Sequence, residues 1–229
     1  MDTFVKPQWI TFTGIDDRTD LYFANALAKK YPIEWGILVS GTNNDARFPS
    51  DQGIADMLRR LNGKKAVHFC GKSARRIHTF LQTIDAGWTP KTSAYPIEFD
   101  EMFQQAARIQ MNGQEPFEGY EYLADNYGLK VIFQARFAVW RKECKFHQLY
   151  DPSGGRGQLP SEVPEKSIDG IVGYAGGMGP ETVVDYLKMI TAQNGEHKFW
   201  IDMESRVRTD GWFDLAKVEQ VCELVYGDN

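Results

Sequence analysis

A single-domain α/β protein built as a closed (β/α)8 barrel is the architecture this sequence predicts, on three observations. Eight short runs rich in β-branched and aromatic residues mostly alternate with segments of helical periodicity. The chain has 229 residues, close to the size of one such barrel. Its glycine-rich loops follow the sixth and seventh runs, a late placement that fits a barrel, whose usual phosphate site lies after strands 7 and 8. An open doubly wound sheet is the runner-up, and it would carry its glycine loop after the first strand.

The elements follow in order. Trp9–Gly14 (WITFTG) is strand 1, rich in β-formers and stopped by glycine. Asp20 can cap a helix over Leu21–Lys30, where Leu21, Ala24, Leu27 and Ala28 share a face. Glu34–Ser40 is strand 2, Asp51–Leu61 a helix stopped by Asn62-Gly63, and Lys65–Gly71 strand 3. An enlarged segment, about 72–107, carries a basic helix (Ser73–Leu81), a loop with Trp88, Pro90 and Pro96, and a helix over Phe99–Ala107. Such an insertion serves either as a lid or contact surface or as a tolerated excursion. Arg108–Gly113 is strand 4, Gly119–Tyr127 a helix closed by Gly128, and Leu129–Arg136 strand 5. The stretch Ala138–Lys145 has no clear pattern. Phe146–Tyr150 is strand 6, ending in DPSGGRG, and Ile168–Tyr174 is strand 7. A helix from Pro180 to about Ala192 follows, then strand 8 (Phe199–Met203) and a last helix, Leu215–Val225.

Composition removes several function classes. Net charge is −5 and the pI about 5.4, so no basic footprint invites duplex nucleic acid or an acidic membrane. No apolar run reaches membrane-spanning length, and MDTFVKPQW lacks the basic start and apolar core of a signal peptide. Cys70, Cys144 and Cys222 have no metal-ligand spacing, so a reducing cytoplasm, no metal and no cofactor are expected. A homodimer is left open.

Chemistry in a barrel gathers at the C-terminal strand ends. Here those ends carry Thr13, Ser40 with its loop to Arg47, Cys70, Asn112, Arg136, Asp151 followed by Gly154 and Gly155, Gly176-Gly177, and Asp202 with Glu204 and Ser205. Gly176-Gly177 and a helix starting at Pro180 would form an anion cradle of bare N–H groups, or else a plain tight turn. Asp151 suits a general acid, or an Asx turn before Ser153. Arg47 can clamp a carboxylate or phosphate with its planar fork, or be solvated. Cys70 is a nucleophile or base only if activated, and otherwise a packed thiol. His68, two residues earlier on the same face, reads as a satisfied interior histidine. Asp202 and Glu204 share a face as a carboxylate pair, unless Glu204 bridges to Arg206 or Arg208.

Together these segments resemble phosphoribosylanthranilate isomerase, from about Trp9 to Val225. IQMNG with GYEYLADNYGLKVIFQAR is similar to that family's strand 4, helix and strand 5, with a QLHG-type motif. LYDPSGGRG resembles its strand 6 aspartate and GGTG-like run. GYAGGMGPETV resembles its AGGL-type phosphate loop, and DMESRVRTDGWFDLAKV its DVSSGVE segment. The resemblance implies a TIM barrel that performs an aldose-to-ketose (Amadori) rearrangement of an N-linked ribose phosphate. It implies phosphate contacts at Gly176, Gly177 and Ser205, with Asp151 as the acid that protonates the ring oxygen. Arg47, in ARFPS where the family has SPRYVS, would orient the aromatic acid. Three positions depart from the pattern. Thr13 stands where the family has the cysteine that takes the C2′ proton, Asn112 replaces the histidine of QLHG, and Arg206 replaces the glycine of SGVE and either blocks or adds a cation to the phosphate site. Cys70, Asp16 or Asp17 could stand in as base.

Two functions are therefore expected of one site. The first is a sugar-phosphate isomerase or related proton-transfer enzyme. The second is a catalytically inactive barrel that holds a phosphorylated, nucleotide-like small molecule.

Overall fold

The computed structural model describes residues 4–42, 45–86, 99–137, 140–153 and 157–227. Eight parallel strands close into a barrel in sequence order, β1 (Ile10–Thr13), β2 (Ile33–Ser40), β3 (Lys64–Cys70), β4 (Arg108–Met111), β5 (Lys130–Ala135), β6 (His147–Tyr150), β7 (Val172–Ala175) and β8 (Phe199–Met203). Closure is made by β1 on β8, with Thr11 opposite Asp202 and Phe12 opposite Met203. The sheet closes, so the open doubly wound alternative is excluded.

Helices α1 (Leu21–Lys30), α2 (Asp51–Arg60), α3 (Gly71–Asp85), α4 (Asp100–Gln105), α5 (Glu121–Tyr127), α6 (Val183–Asn194) and α7 (Leu215–Tyr226) pack outside. Asp20 caps α1 by accepting from Tyr22 N and Phe23 N, and Gly128 ends α5 in the left-handed region. Asn62-Gly63 does not form the stop of α2. Leu61 ends it in extended backbone, its N–H still bonded to Met57 O. The helix after β3 is longer than its sequence pattern at both ends, starting directly at Gly71 and running on past Leu81 to Asp85. Trp88, Pro90 and Pro96 lie outside the described residues.

Among the described residues no helix follows β5 or β6. Gln148 instead holds the chain at Arg141 by two reciprocal bonds, accepting from Arg141 N at 2.8 Å and donating to its carbonyl at 3.0 Å. Trp140 then packs edge-on against Tyr174 and, with Val163, is buried where helices would otherwise lie. The expected strand at Ile168–Tyr174 is shorter, because Gly170 has φ 84° and breaks the extended run before Val172. A two-strand hairpin, β9 (Arg208–Thr209) with β10 (Trp212–Phe213), was not foreseen.

Alternation along the strands sorts the side chains. Ile10, Phe12, Trp35, Ile37, Val67, Phe69, Ile109 and Ile201 face the helices in one large core. The barrel interior has a small apolar cluster of Ile132, Leu149, Ala175 and Trp200. Gly173 makes room for Trp200, since a Cβ there would lie 2.4 Å from the indole. Below this cluster, at the N-terminal strand ends, Arg108 bonds to Glu34 and Thr11 and lies over Trp9 and Trp200. Above it the interior turns polar, with Thr13, His68, Gln110 and Asp202 buried. Polar groups at this depth are costly unless paired, which marks the upper barrel as a site.

Candidate functional site

The upper interior opens into a cavity of about 370 Å3 at the C-terminal strand ends. Thr13, Arg47, Cys70, Asn112, Arg136, Asp151, Gly176, Gly177, Asp202, Glu204 and Ser205 all line it. Residues drawn from every strand end thus meet in one space. Arg206 is the exception: it is exposed, packs against Gly179 and does not line the cavity. Gly154 and Gly155 lie outside the described residues.

Asp151 extends β6, its N–H bonded to Ala135 O. Its Oδ1 accepts from Ser153 Oγ at 2.7 Å and its Oδ2 from Gln134 Nε2 at 3.2 Å. The Ser153 bond comes from the hydroxyl and not from the backbone N–H of an Asx turn, and the carboxyl faces the cavity. A Cβ on Gly176 would sit 3.6 Å from Asp151 Oδ1, so the acid and the glycine pair are neighbours.

Gly176 and Gly177 have φ 105° and 66°, and a Cβ on Gly177 would come within 2.5 Å of Leu159 N. A Cβ on Gly157 would come within 2.3 Å of Ser205 Oγ. Three loops therefore meet at one corner through backbone and hydroxyl alone. The helix does not restart at Pro180 as expected. Thr182 Oγ1 donates to Gly177 O at 2.9 Å and accepts from Gly179 N at 3.0 Å, and this tie holds a turn, so α6 starts at Val183. Replacing Gly177 by alanine is expected to cost about 1–2 kcal/mol in stability for the left-handed backbone alone. It should also displace the 157–159 segment, which thermal melts would register as a further loss of stability.

Arg47 reaches across from the loop after β2 to Glu204 at the end of β8, Nη1 to Oε1 2.9 Å, with Asp45 3.6 Å from Nε. Glu204 is thus paired with Arg47 and not with Arg206 or Arg208. Arg208 instead binds Asp16 at 2.9 Å and Gly14 O at 2.6 Å. That removes Asp16 as a base, and Asp17 is bonded to Ser50 N at 2.9 Å, outside the cavity.

At the cavity floor Thr13 Oγ1 donates to Asp202 Oδ1 at 2.8 Å, and Asp202 Oδ2 is 4.0 Å from His68 Nε2. Burial lifts the Asp202 pKa well above the usual carboxylate range, against the Thr13 hydrogen bond and the Arg108 charge. Burial, aided by Arg108, pushes His68 down to about 3, so its imidazole is neutral. The expectation of a satisfied histidine fails: His68 Nε2 is buried with no hydrogen bond among the described residues, as is Gln110 Oε1. Gln110 Nε2 donates to Asn112 Oδ1 at 2.8 Å, and Asn112 Nδ2 to Cys70 Sγ at 3.0 Å. Burial raises the Cys70 thiol pKa despite this bond, which leaves it protonated and unreactive.

Gln110, Gln134, Ser153, Gly157 and Phe48 also line the cavity and were missed. Gln110 and Gln134 stand two residues before Asn112 and Arg136 on their strands. A polar residue at that spacing from a polar strand end is the signal that could have found them.

A closed parallel barrel with buried polar groups gathered at its C-terminal mouth, around a cavity of ligand size, defines a (β/α)8 TIM barrel. No protein-family model matches the chain, and no curated protein matches it in sequence. Solved structures do. N-(5′-phosphoribosyl)anthranilate isomerase from Pyrococcus furiosus superposes with a TM-score of 0.61 at 14% identity, covering 96% of this chain and 100% of that one. The phosphoribosylanthranilate isomerase of Thermotoga maritima gives 0.62 at 16%, covering 98% and 100%. That of Thermus thermophilus gives 0.58 at 16%, covering 93% and 95%. The chain has the fold of these isomerases over nearly its whole length, and at such identities the likeness is one of fold.

Proposed function

We propose that this chain binds a small ribose-phosphate compound at the barrel mouth and isomerises it from aldose to ketose by an Amadori-type proton transfer. The observation that carries the reading is the single cavity lined together by Asp151, Arg47, Gly176, Gly177 and Ser205. In this reading the phosphate sits at the glycine corner, where bare N–H groups and the Ser205 hydroxyl can meet an anion. Asp151, beside Gly176, gives its proton to the ribose ring oxygen, and the C1′–O bond opens as the attached nitrogen forms an iminium. Arg47 holds an acidic group on the amine substituent with the donors that Glu204 leaves. His68 Nε2 and Gln110 Oε1, unpaired among the described residues, favour a ligand with hydroxyl groups deep in the cavity, since such atoms are costly to leave unmet.

The test is turnover of phosphoribosylanthranilate, with calorimetry against ribose 5-phosphate and unphosphorylated ribose. Turnover, and binding that needs the phosphate, support the proposal. Binding without turnover supports a second reading, in which the barrel only holds its ligand. The observation favouring that reading is Thr13, whose hydroxyl cannot itself take a carbon-bound proton. Absence of any phosphate-dependent binding sinks both.

A further inference from the structure

Resting on the isomerase reading, we propose that Asp202 is the catalytic base that removes the C2′ proton, and that Thr13 is the positioning residue that aims it. Thr13 stands at the strand-1 position, and β8 closes the barrel directly against β1, so Asp202 shares the same corner of the floor. The Thr13 hydroxyl holds Oδ1 at 2.8 Å, which fixes the carboxylate plane and turns Oδ2 toward His68 at 4.0 Å.

The other titratable groups around the cavity are each unsuited. Glu204 is neutralised by Arg47 at 2.9 Å. His68, with a pKa near 3, is too weak a base to hold a proton taken from carbon. The Cys70 thiol is pushed up by burial and has no thiolate to offer. Asp151 is occupied as the acid. Asp202 combines a position on the floor with a carboxyl that the Thr13 hydroxyl holds at 2.8 Å; burial raises its pKa, so its ionised form, present above that raised value, is a stronger base than an ordinary carboxylate. The charged and titratable groups that bear on it come from three strands and one loop: Glu34 (β2), His68 (β3), Arg108 (β4) and Glu204 just past β8.

The step balances. After ring opening, Asp202 Oδ2 accepts the C2′ proton, the C–H electron pair becomes the C1′=C2′ bond, and the iminium pair returns to nitrogen. The enol hydroxyl then returns its proton to the Asp151 carboxylate as the C2′ carbonyl forms, and protonated Asp202 delivers its proton to C1′. Both aspartates end as they began, with no oxidant or reductant. In strand order β7 lies between the two, so a phosphate held at Gly176-Gly177 places the sugar between acid and base.

The experiment measures kcat, KM and the pH profile on phosphoribosylanthranilate for the wild type, Asp202→Asn and Thr13→Val, with ribose 5-phosphate affinity and melting as controls. Asp202→Asn should lower kcat by about two to four orders of magnitude while KM and phosphate affinity stay near wild type. Thr13→Val should lower kcat about tenfold. Its acid limb should move to higher pH, because the carboxylate loses a donor that favours its charged form. An Asp202→Asn enzyme as fast as the wild type overturns the assignment and leaves the isomerase reading standing. So does a Thr13→Val enzyme whose acid limb stays in place, which decides the matter even if Asp202→Asn fails to fold. A wild type with no turnover overturns both.

Discussion

The Asp151→Asn variant is expected to turn over phosphoribosylanthranilate about two to four orders of magnitude more slowly than the wild type, roughly 3–5 kcal/mol in the barrier. Asparagine is the informative replacement because it separates the two roles that Asp151 can have. The side-chain bond to Ser153 is served as well by asparagine as by aspartate, since the Ser153 hydroxyl can rotate to donate or accept at 2.7 Å. Gln134 Nε2 can keep its bond to the amide oxygen, so the loop and the fold survive. What asparagine lacks is a proton to give to the ring oxygen. A loop-shaping Asp151 therefore predicts wild-type kcat in the variant, and an acid predicts collapse of kcat with ribose 5-phosphate binding intact. Steady-state kinetics and calorimetry on one preparation decide between them. Retained turnover would leave the proposed chemistry without its acid.

The same residues show which parts of the site could be read along the chain. Strand ends were readable because each is fixed by local alternation, and this brought Thr13, Cys70, Asn112, Asp151 and Asp202 to one cavity. Contacts between distant loops were not. Arg47 and Glu204 lie on loops after β2 and β8, and nothing near either residue announces their bond. The start of α6 was misread because Pro180 suits a first helical turn, while the Thr182 hydroxyl, tied to Gly177 and Gly179, holds a different turn there. The strand–glycine–helix pattern at Gly176-Gly177 leaves an anion cradle and a tight turn both open, and it does not show that the absent Gly177 side chain is also what lets Leu159 N approach. His68 reads along the chain as a satisfied interior histidine, and its unmet Nε2 shows only in the folded barrel, where the nearest Asp202 oxygen is 4.0 Å away.

Replacing Arg108 by methionine is expected to destabilise the fold by about 3–5 kcal/mol, a fall in melting temperature of roughly 6–20 °C for a chain of this size. The cause lies at the other end of the barrel from the cavity. Glu34 is wholly buried, and its carboxylate is met by Arg108 Nε at 2.9 Å, by Arg108 Nη2 and by the Thr11 hydroxyl at 2.9 Å. The guanidinium in turn lies 4.4 Å from the Trp200 ring and 4.8 Å from Trp9, which stack on each other. Methionine keeps the apolar contact with the indoles but leaves Glu34 an unpaired charge in the barrel floor. Such a carboxyl takes up a proton more readily folded than unfolded. The variant's folded state then binds more protons than its unfolded state, and its stability must fall as pH rises. The deficit against wild type should accordingly be larger at pH 8 than at pH 5. Adding Glu34→Leu to Arg108→Met should recover much of the loss, since removing both partners leaves no buried charge. Denaturant melts at the two pH values measure all three terms. A single variant as stable as the wild type, or a deficit that does not change with pH, would show that Glu34 finds other partners and that this ion pair is not what holds the lower barrel together.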